Sequence, residues 1–149
     1  MRLWFFLIIS FSLASANAHI FVYHRFGDTR YPSTNTSLEQ LKAQFEYLKK
    51  NNYEVVTLDK IVGSIEKNQK IPNNWVAFTI DDSYKSFYNN GLAVFREYIF
   101  PFSIFVSTEA TQAKYPDFMS WGELKDVLKY GDVQFHSYNH PHLPHLSDI

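Results

Sequence analysis

The chain has 149 residues, 46% hydrophobic and 19% charged, with a net charge of -1 and no cysteine. This is the profile of one ordinary globular domain. It excludes a disulfide framework and a thiolate zinc site, and without a Lys/Arg stripe nothing supports binding to nucleic acid or to anionic lipid.

The first residues read as a leader. Met1-Arg2 is a short basic start, Leu3 to Leu13 is mostly apolar, and Ala16-Asn17-Ala18 is a small-x-small cleavage pattern. Together they predict a secretory signal peptide over residues 1–18 and a mature chain beginning at His19. The apolar stretch falls short of the roughly 20 residues that span a bilayer. The expectation is therefore an exported protein, periplasmic or extracellular, with no stable membrane span after cleavage.

From His19 onward, short apolar runs alternate with amphipathic segments. Ile20 to Tyr23 reads as a buried strand, and a polar loop over Gly27 to Asn35 leads into a helix from about Ser37. There Leu38, Leu41, Phe45 and Leu48 share one face. Ser37 with Gln40, or Thr36 with Glu39, would close a capping box. Val55 to Leu58 is a second predicted strand, and Asp59 is expected to cap a short helix carrying Ile61, Val62 and Ile65. Trp75 to Ile80 is a third strand, followed by a helix to about Tyr98. Phe102 to Val106 is the fourth, Ser120 starts a helix to about Lys129 with another capping box, and Val133 to Phe135 is the fifth. Such alternation predicts an α/β fold with parallel strands, where ligands gather at the carboxyl ends of the strands.

The chemistry-bearing residues fall at those ends. His24 follows the first strand, Asp81-Asp82 the third and His136 the fifth. Adjacent aspartates after a strand can serve simply as a helix cap. The segment His136-Ser137-Tyr138-Asn139-His140-Pro141 changes the balance, because two imidazoles four residues apart can meet one metal ion. Pro141 biases His140 away from the helical region, so the histidines belong to a tight loop. A catalytic zinc usually has three protein ligands, and one aspartate can be the third. Its neighbour is then free to accept a proton from the attacking water. The alternative is that the histidines are half-exposed loop residues with no common target.

The runs "FTIDDSYKSFY", "FPFSIFVST", "MSWGEL" and "VQFHSYNHPHL" resemble the polysaccharide deacetylases of the NodB-homology type, carbohydrate esterase family 4. "VYHRFGD" and "FEYLKKNNYEVVTLDKI" are similar to the branch acting on poly-N-acetylglucosamine. The resemblance covers residues 19–149 and implies the N-terminal part of a distorted (β/α) barrel, incomplete in this sequence. It also implies metal-dependent hydrolysis of the N-acetyl amide of N-acetylglucosamine units in a glycan, releasing acetate. Asp81 matches the family's catalytic base; Asp82, His136 and His140 match its metal ligands, with Zn2+ the expected ion. Ile80 stands where the family usually has Phe. His24 and Tyr84 are expected to line the substrate cleft and Ser137 to orient the ligands, whereas His142 and His145 are expected to be solvated.

The resemblance also implies later motifs, an arginine that orients the base and a Leu-x-His whose histidine is the general acid; these are expected downstream of the His136–His140 motif and its tail, and the chain stops at "LPHLSDI". The expectation is a fragment of a longer product, or a truncated one, and no appreciable turnover by the 19–149 segment alone. A non-catalytic metal- or glycan-binding remnant is the alternative function. A hydrolase of O-acetyl esters or small cyclic amides is a third.

Overall fold

The computed structural model describes residues 18–141. The proposed leader, up to residue 17, and His142 and His145 lie outside the described residues. The fold is α/β, with β1 (His19–Tyr23), β2 (Arg25–Phe26), β3 (Asn35–Thr36), α1 (Leu38–Lys50), β4 (Glu54–Val55) and α2 (Leu58–Glu66) in its first half. Then follow β5 (Trp75–Ile80), a π-helical turn over Phe87–Gly91, α3 (Leu92–Tyr98), β6 (Ser103–Val106), α4 (Thr108–Gln112), α5 (Trp121–Val127) and β7 (Asp132–Phe135).

The main sheet is wholly parallel. Its path runs β1-β5-β6-β7, with β4 paired to the start of β5. Parallel pairing of His19 with Val76 through Tyr23 with Ile80 sets β1 and β5 level, so both chains emerge at the same edge. β5 is the buried centre: Val76 to Ile80 are each 6% exposed or less. A run apolar but for Thr79 is expected of a strand covered on both faces.

Under the sheet lies a packed set of phenylalanines. Phe26, Phe45, Phe78, Phe87 and Phe95 are fully buried, and Phe78 lies within 5.4 Å, centroid to centroid, of both Phe45 and Phe95. The Phe45–Phe95 and Phe78–Phe95 pairs are edge-to-face, the arrangement favoured by the ring quadrupole. Gly131 is fixed by this packing, because a Cβ there would stand 2.6 Å from the Phe102 carbonyl oxygen. That glycine lets β7 start against β6.

The helices begin where the side chains dictate, with some departures from expectation. Ser37 and Gln40 close the first capping box and Ser120 and Glu123 the second. The second strand is shorter than expected. Thr57 accepts a hydrogen bond from the Lys60 N–H and caps α2, so Leu58 is helical and Asp59 lies in the first turn. The loop after β1 carries a small parallel pair, β2 with β3, and the short α4 was not anticipated. Among the described residues no helix is long and apolar enough to cross a membrane.

Candidate metal centre at the carboxyl edge of the sheet

His24, Asp81 and His136 each directly follow the last residue of a strand, β1, β5 and β7 respectively. The Asp81 N–H donates to the Tyr23 carbonyl and the His136 N–H to the Val106 carbonyl, which extends the strand pairing into the site. Beyond these points the backbone leaves ordinary conformations. Asp82 and Ser83 have φ of +67° and +59°, and Ser137 and His140 have φ of +60° and +49°. Left-handed backbone in L-residues costs about 1–2 kcal/mol each, least for Asp, Asn and His. Such strain gathers at functional sites when the surroundings over-determine it.

Those surroundings are specific. α4 opens with backbone N–H groups that a helix cannot satisfy internally, and its N-cap, Ser107, makes no side-chain cap bond. Instead the Thr108 and Glu109 N–H groups donate to the carbonyls of Ser137 and Tyr138, and the Ser107 hydroxyl donates to the His136 carbonyl. The start of α4 thus clamps the histidine loop. Within the loop, the His140 N–H donates to Ser137 Oγ at 3.0 Å. The Asp81–Tyr84 loop is held in turn by the Met119 N–H, which donates to the Ser83 carbonyl, and by a bridge between Tyr84 and Phe118.

The result brings Asp82, His136 and His140 together, with one ligand-type atom from each within 4.8 Å of the others. Asp82 Oδ1 stands 3.6 Å from His136 Nε2 and 3.7 Å from His140 Nε2. These separations are too wide for hydrogen bonds. They are close to the roughly 3.3–3.4 Å edge that ligands about 2.0–2.1 Å from a tetrahedral zinc would define. Two imidazoles and a carboxylate also suit zinc chemically. On both counts the residues fit a divalent ion.

Asp81 is half-buried beside this cluster. Burial pushes its carboxyl above the ordinary carboxylate value, the charges of His136 and His24 pull it down, and that of Asp82 adds to the rise. The net shift is upward. Tyr84 is raised first by burial and then by the charge of Asp82, with Arg25 acting the other way. Its ring lies 3.4 Å from the guanidinium carbon of Arg25. Ser137 shapes the loop through its bond from His140. A cleft of about 380 Å3 opens next to the cluster, walled by Asp82, Tyr84, Glu109, Phe118, Tyr138 and His140. Sequence reasoning missed α4 and the Tyr115–Phe118 segment. Ser107-Thr108-Glu109, a capping-type start, was the available signal for the first.

The class of protein defined so far is a parallel α/β scaffold with a candidate metal site on its carboxyl-edge loops. Residues 68–149 match the model of the family described as "Polysaccharide deacetylase", more than half of the chain, and the chain belongs to that family. It is 27% identical to the Poly-beta-1,6-N-acetyl-D-glucosamine N-deacetylase of Escherichia coli K12 over 124 residues, covering 74% of this chain and 18% of that protein. Among solved structures, the Streptococcus pyogenes deacetylase PplD, in complex with acetate, superposes with a TM-score of 0.74 at 20% identity. That match covers 87% of this chain and 60% of PplD. IcaB from Ammonifex degensii gives 0.73 at 23% identity, covering 83% of this chain and 54% of IcaB. The chain therefore spans about a fifth of the length of its curated relatives and somewhat over half of these structures.

Proposed function

We propose that this chain carries the metal-binding half of a polysaccharide N-deacetylase that hydrolyses the N-acetyl amide of N-acetylglucosamine units and releases acetate. The observation that carries the reading is the convergence of Asp82, His136 and His140 at 4.8 Å or less, beside Asp81, in a chain of this family. The poly-N-acetylglucosamine substrate comes from the name of the curated relatives.

In this reading Asp82, His136 and His140 hold one divalent ion, Zn2+ by the chemistry of the donors. When bound, such an ion supplies Lewis acidity to the amide carbonyl and to water. Asp81 accepts the proton of the attacking water, and its burial makes it a better acceptor at neutral pH than a solvated carboxylate. His24 lines the substrate cleft from the end of β1, Tyr84 lines the cleft beside Asp82, and Ser137 holds the histidine loop in register. Residues 1–18 serve as an export signal, residues 19–149 form the deacetylase portion, and the protein works in the periplasm or outside the cell.

Zinc titration of the purified chain, read by equilibrium dialysis, tests the site. One equivalent should bind, with affinity lost in Asp82→Asn and His140→Ala; undiminished binding in both variants would sink the assignment. Acetate release from N-acetylglucosamine polymer tests the reaction, and any release should vanish in Asp81→Asn. We propose that the 19–149 segment alone gives no appreciable turnover, so multiple turnovers by it would refute that part while supporting the reaction.

A further inference from the structure

One little-exposed carboxylate has no part in the site described so far. Asp28, two residues after β2, has a side chain 9% exposed and is approached by two arginines. Arg30 grips it with two bonds of 2.8 Å, from Nε to Oδ1 and from Nη2 to Oδ2, and Arg25 Nη1 lies 3.4 Å from Oδ2. The Asp28 N–H donates in turn to Asn35 Oδ1 at 2.7 Å, which ties this residue to β3. Hydrogen bonds from Arg30 hold the Asp28 carboxyl below its ordinary value, against the rise from burial, so it is charged at neutral pH.

The two arginines reach the loop that carries Asp82 by separate routes. The guanidinium carbon of Arg25, a residue 7% exposed, lies 3.8 Å from the ring centre of Tyr31 and 3.4 Å from that of Tyr84, which stands two residues beyond Asp82. Arg30 Nη2 also donates to Asp117 Oδ1 at 2.8 Å. The backbone around Asp117 holds the same loop, because the Lys85 N–H donates to the Asp117 carbonyl and the Met119 N–H to the Ser83 carbonyl. One carboxylate is thereby coupled to Ser83, Tyr84 and Lys85. The loop needs such support, since Asp82 and Ser83 both have left-handed backbone, which persists only where the surroundings over-determine it. An isolated ion pair of an arginine whose side chain is 60% exposed contributes little. Asp28 differs in serving two cations, one of them bidentately, and without it Arg25 has no carboxylate within 4 Å among the described residues.

We propose that Asp28 is a positioning residue for the metal site. Through Arg25 and Arg30 it holds the Asp81–Tyr84 loop in the form that sets the Asp82 carboxylate opposite His136 and His140, and so contributes to metal affinity without touching the ion. The proposal rests on the reading of Asp82, His136 and His140 as metal ligands, and its test is made on metal binding in wild type and variants so that the two can fail separately.

The probe is Zn2+, titrated by equilibrium dialysis into the 149-residue chain and its variants, with Co2+ as a second ion whose visible absorption reports ligand geometry. Asp28→Asn removes the charge at almost constant shape. It should weaken Zn2+ binding about 10–100-fold, as loss of a partner behind a metal ligand does, and alter the Co2+ spectrum. Arg30→Ala and Asp117→Ala cut the same link and should each cost about threefold to tenfold, with the double variant no weaker than either single one; Arg30→Lys should recover part of the loss. Urea unfolding of the metal-free variants is the control. A carboxylate that only stabilises the fold would lower the midpoint and leave the Zn2+ affinity and Co2+ spectrum of the folded protein unchanged. Should Asp28→Asn fail to fold, the Arg30 variants, at an exposed side chain, carry the comparison. Wild-type Zn2+ affinity and Co2+ spectrum in folded Asp28→Asn, or in Arg30→Ala if the first does not fold, overturn the positioning role. Absence of Zn2+ binding by the wild-type chain overturns the metal reading, and this proposal with it.

Discussion

The interior beneath β5 and the loops at its carboxyl edge obey different rules. In the interior, Phe45, Phe78 and Phe95 sit in regular strand or helix backbone, fully buried and packed ring against ring. At the edge, Asp82, Ser83, Ser137 and His140 hold left-handed backbone, and two imidazoles and a carboxylate face one another without hydrogen-bonding. The first region is at a local minimum residue by residue. The second is held in shape by its neighbours, and stability and chemistry are therefore separable by mutation.

Phe78→Ala should give the largest effect. Truncating a fully buried ring costs about 3–5 kcal/mol, which urea unfolding would read directly, while zinc stoichiometry of the folded fraction stays at one. His136→Ala is the converse. Metal affinity should fall by more than the roughly 10–100-fold typical of lost outer-shell partners, with the unfolding midpoint of the metal-free protein little changed. A midpoint drop as large as that of Phe78→Ala would erase the distinction between the regions.

A third test asks whether left-handed strain matters away from the site. Ile99, the C-cap of α3, has φ of +57° and is 87% exposed, a β-branched residue where glycine is favoured. Ile99→Gly should stabilise the fold by about 1 kcal/mol. No gain, or a loss, would show that such positions are less strained than the comparison assumes.

The smallest effect is pH-dependent. Burial raises the Glu123 carboxyl, but hydrogen bonds from Ser120 and the Lys85 charge outweigh it and hold the net pKa below 4.5. A depressed carboxylate pKa contributes stability above the unfolded value, and this is lost as the pH falls through the folded one. The stability difference between wild type and Glu123→Gln should accordingly be constant near neutrality and shrink below about pH 4.5. A difference that is flat into acid would refute the sign.

Much of the frame was legible because it is written in local patterns. The run Trp75 to Ile80 needed only its apolar continuity to be read as a central strand, and Ser37 and Ser120 announce their helices through residues three positions on. Less legible were features set by competition or by distant partners. Thr57 took the cap from Asp59 because its hydroxyl reaches the Lys60 N–H, which shortened the strand before it. The five-residue α4 has too little length to show a period, and its start is satisfied by carbonyls some 30 residues later in the chain. Likewise, Asp82 and the two histidines could be nominated from spacing and family resemblance. Their separations, and the aromatic surface beside them, depend on how the loops are tied together.

The fastening of the histidine loop to α4 has a consequence for inheritance. Two of its bonds run from main-chain N–H to main-chain carbonyl, at Thr108 and Glu109, and among the described residues only the Ser107 hydroxyl adds a side chain. Substitutions at 108 and 109 can therefore accumulate without altering the loop, provided no residue is inserted or lost between β6 and the helix. Length, more than identity at 108 and 109, is what this fastening requires.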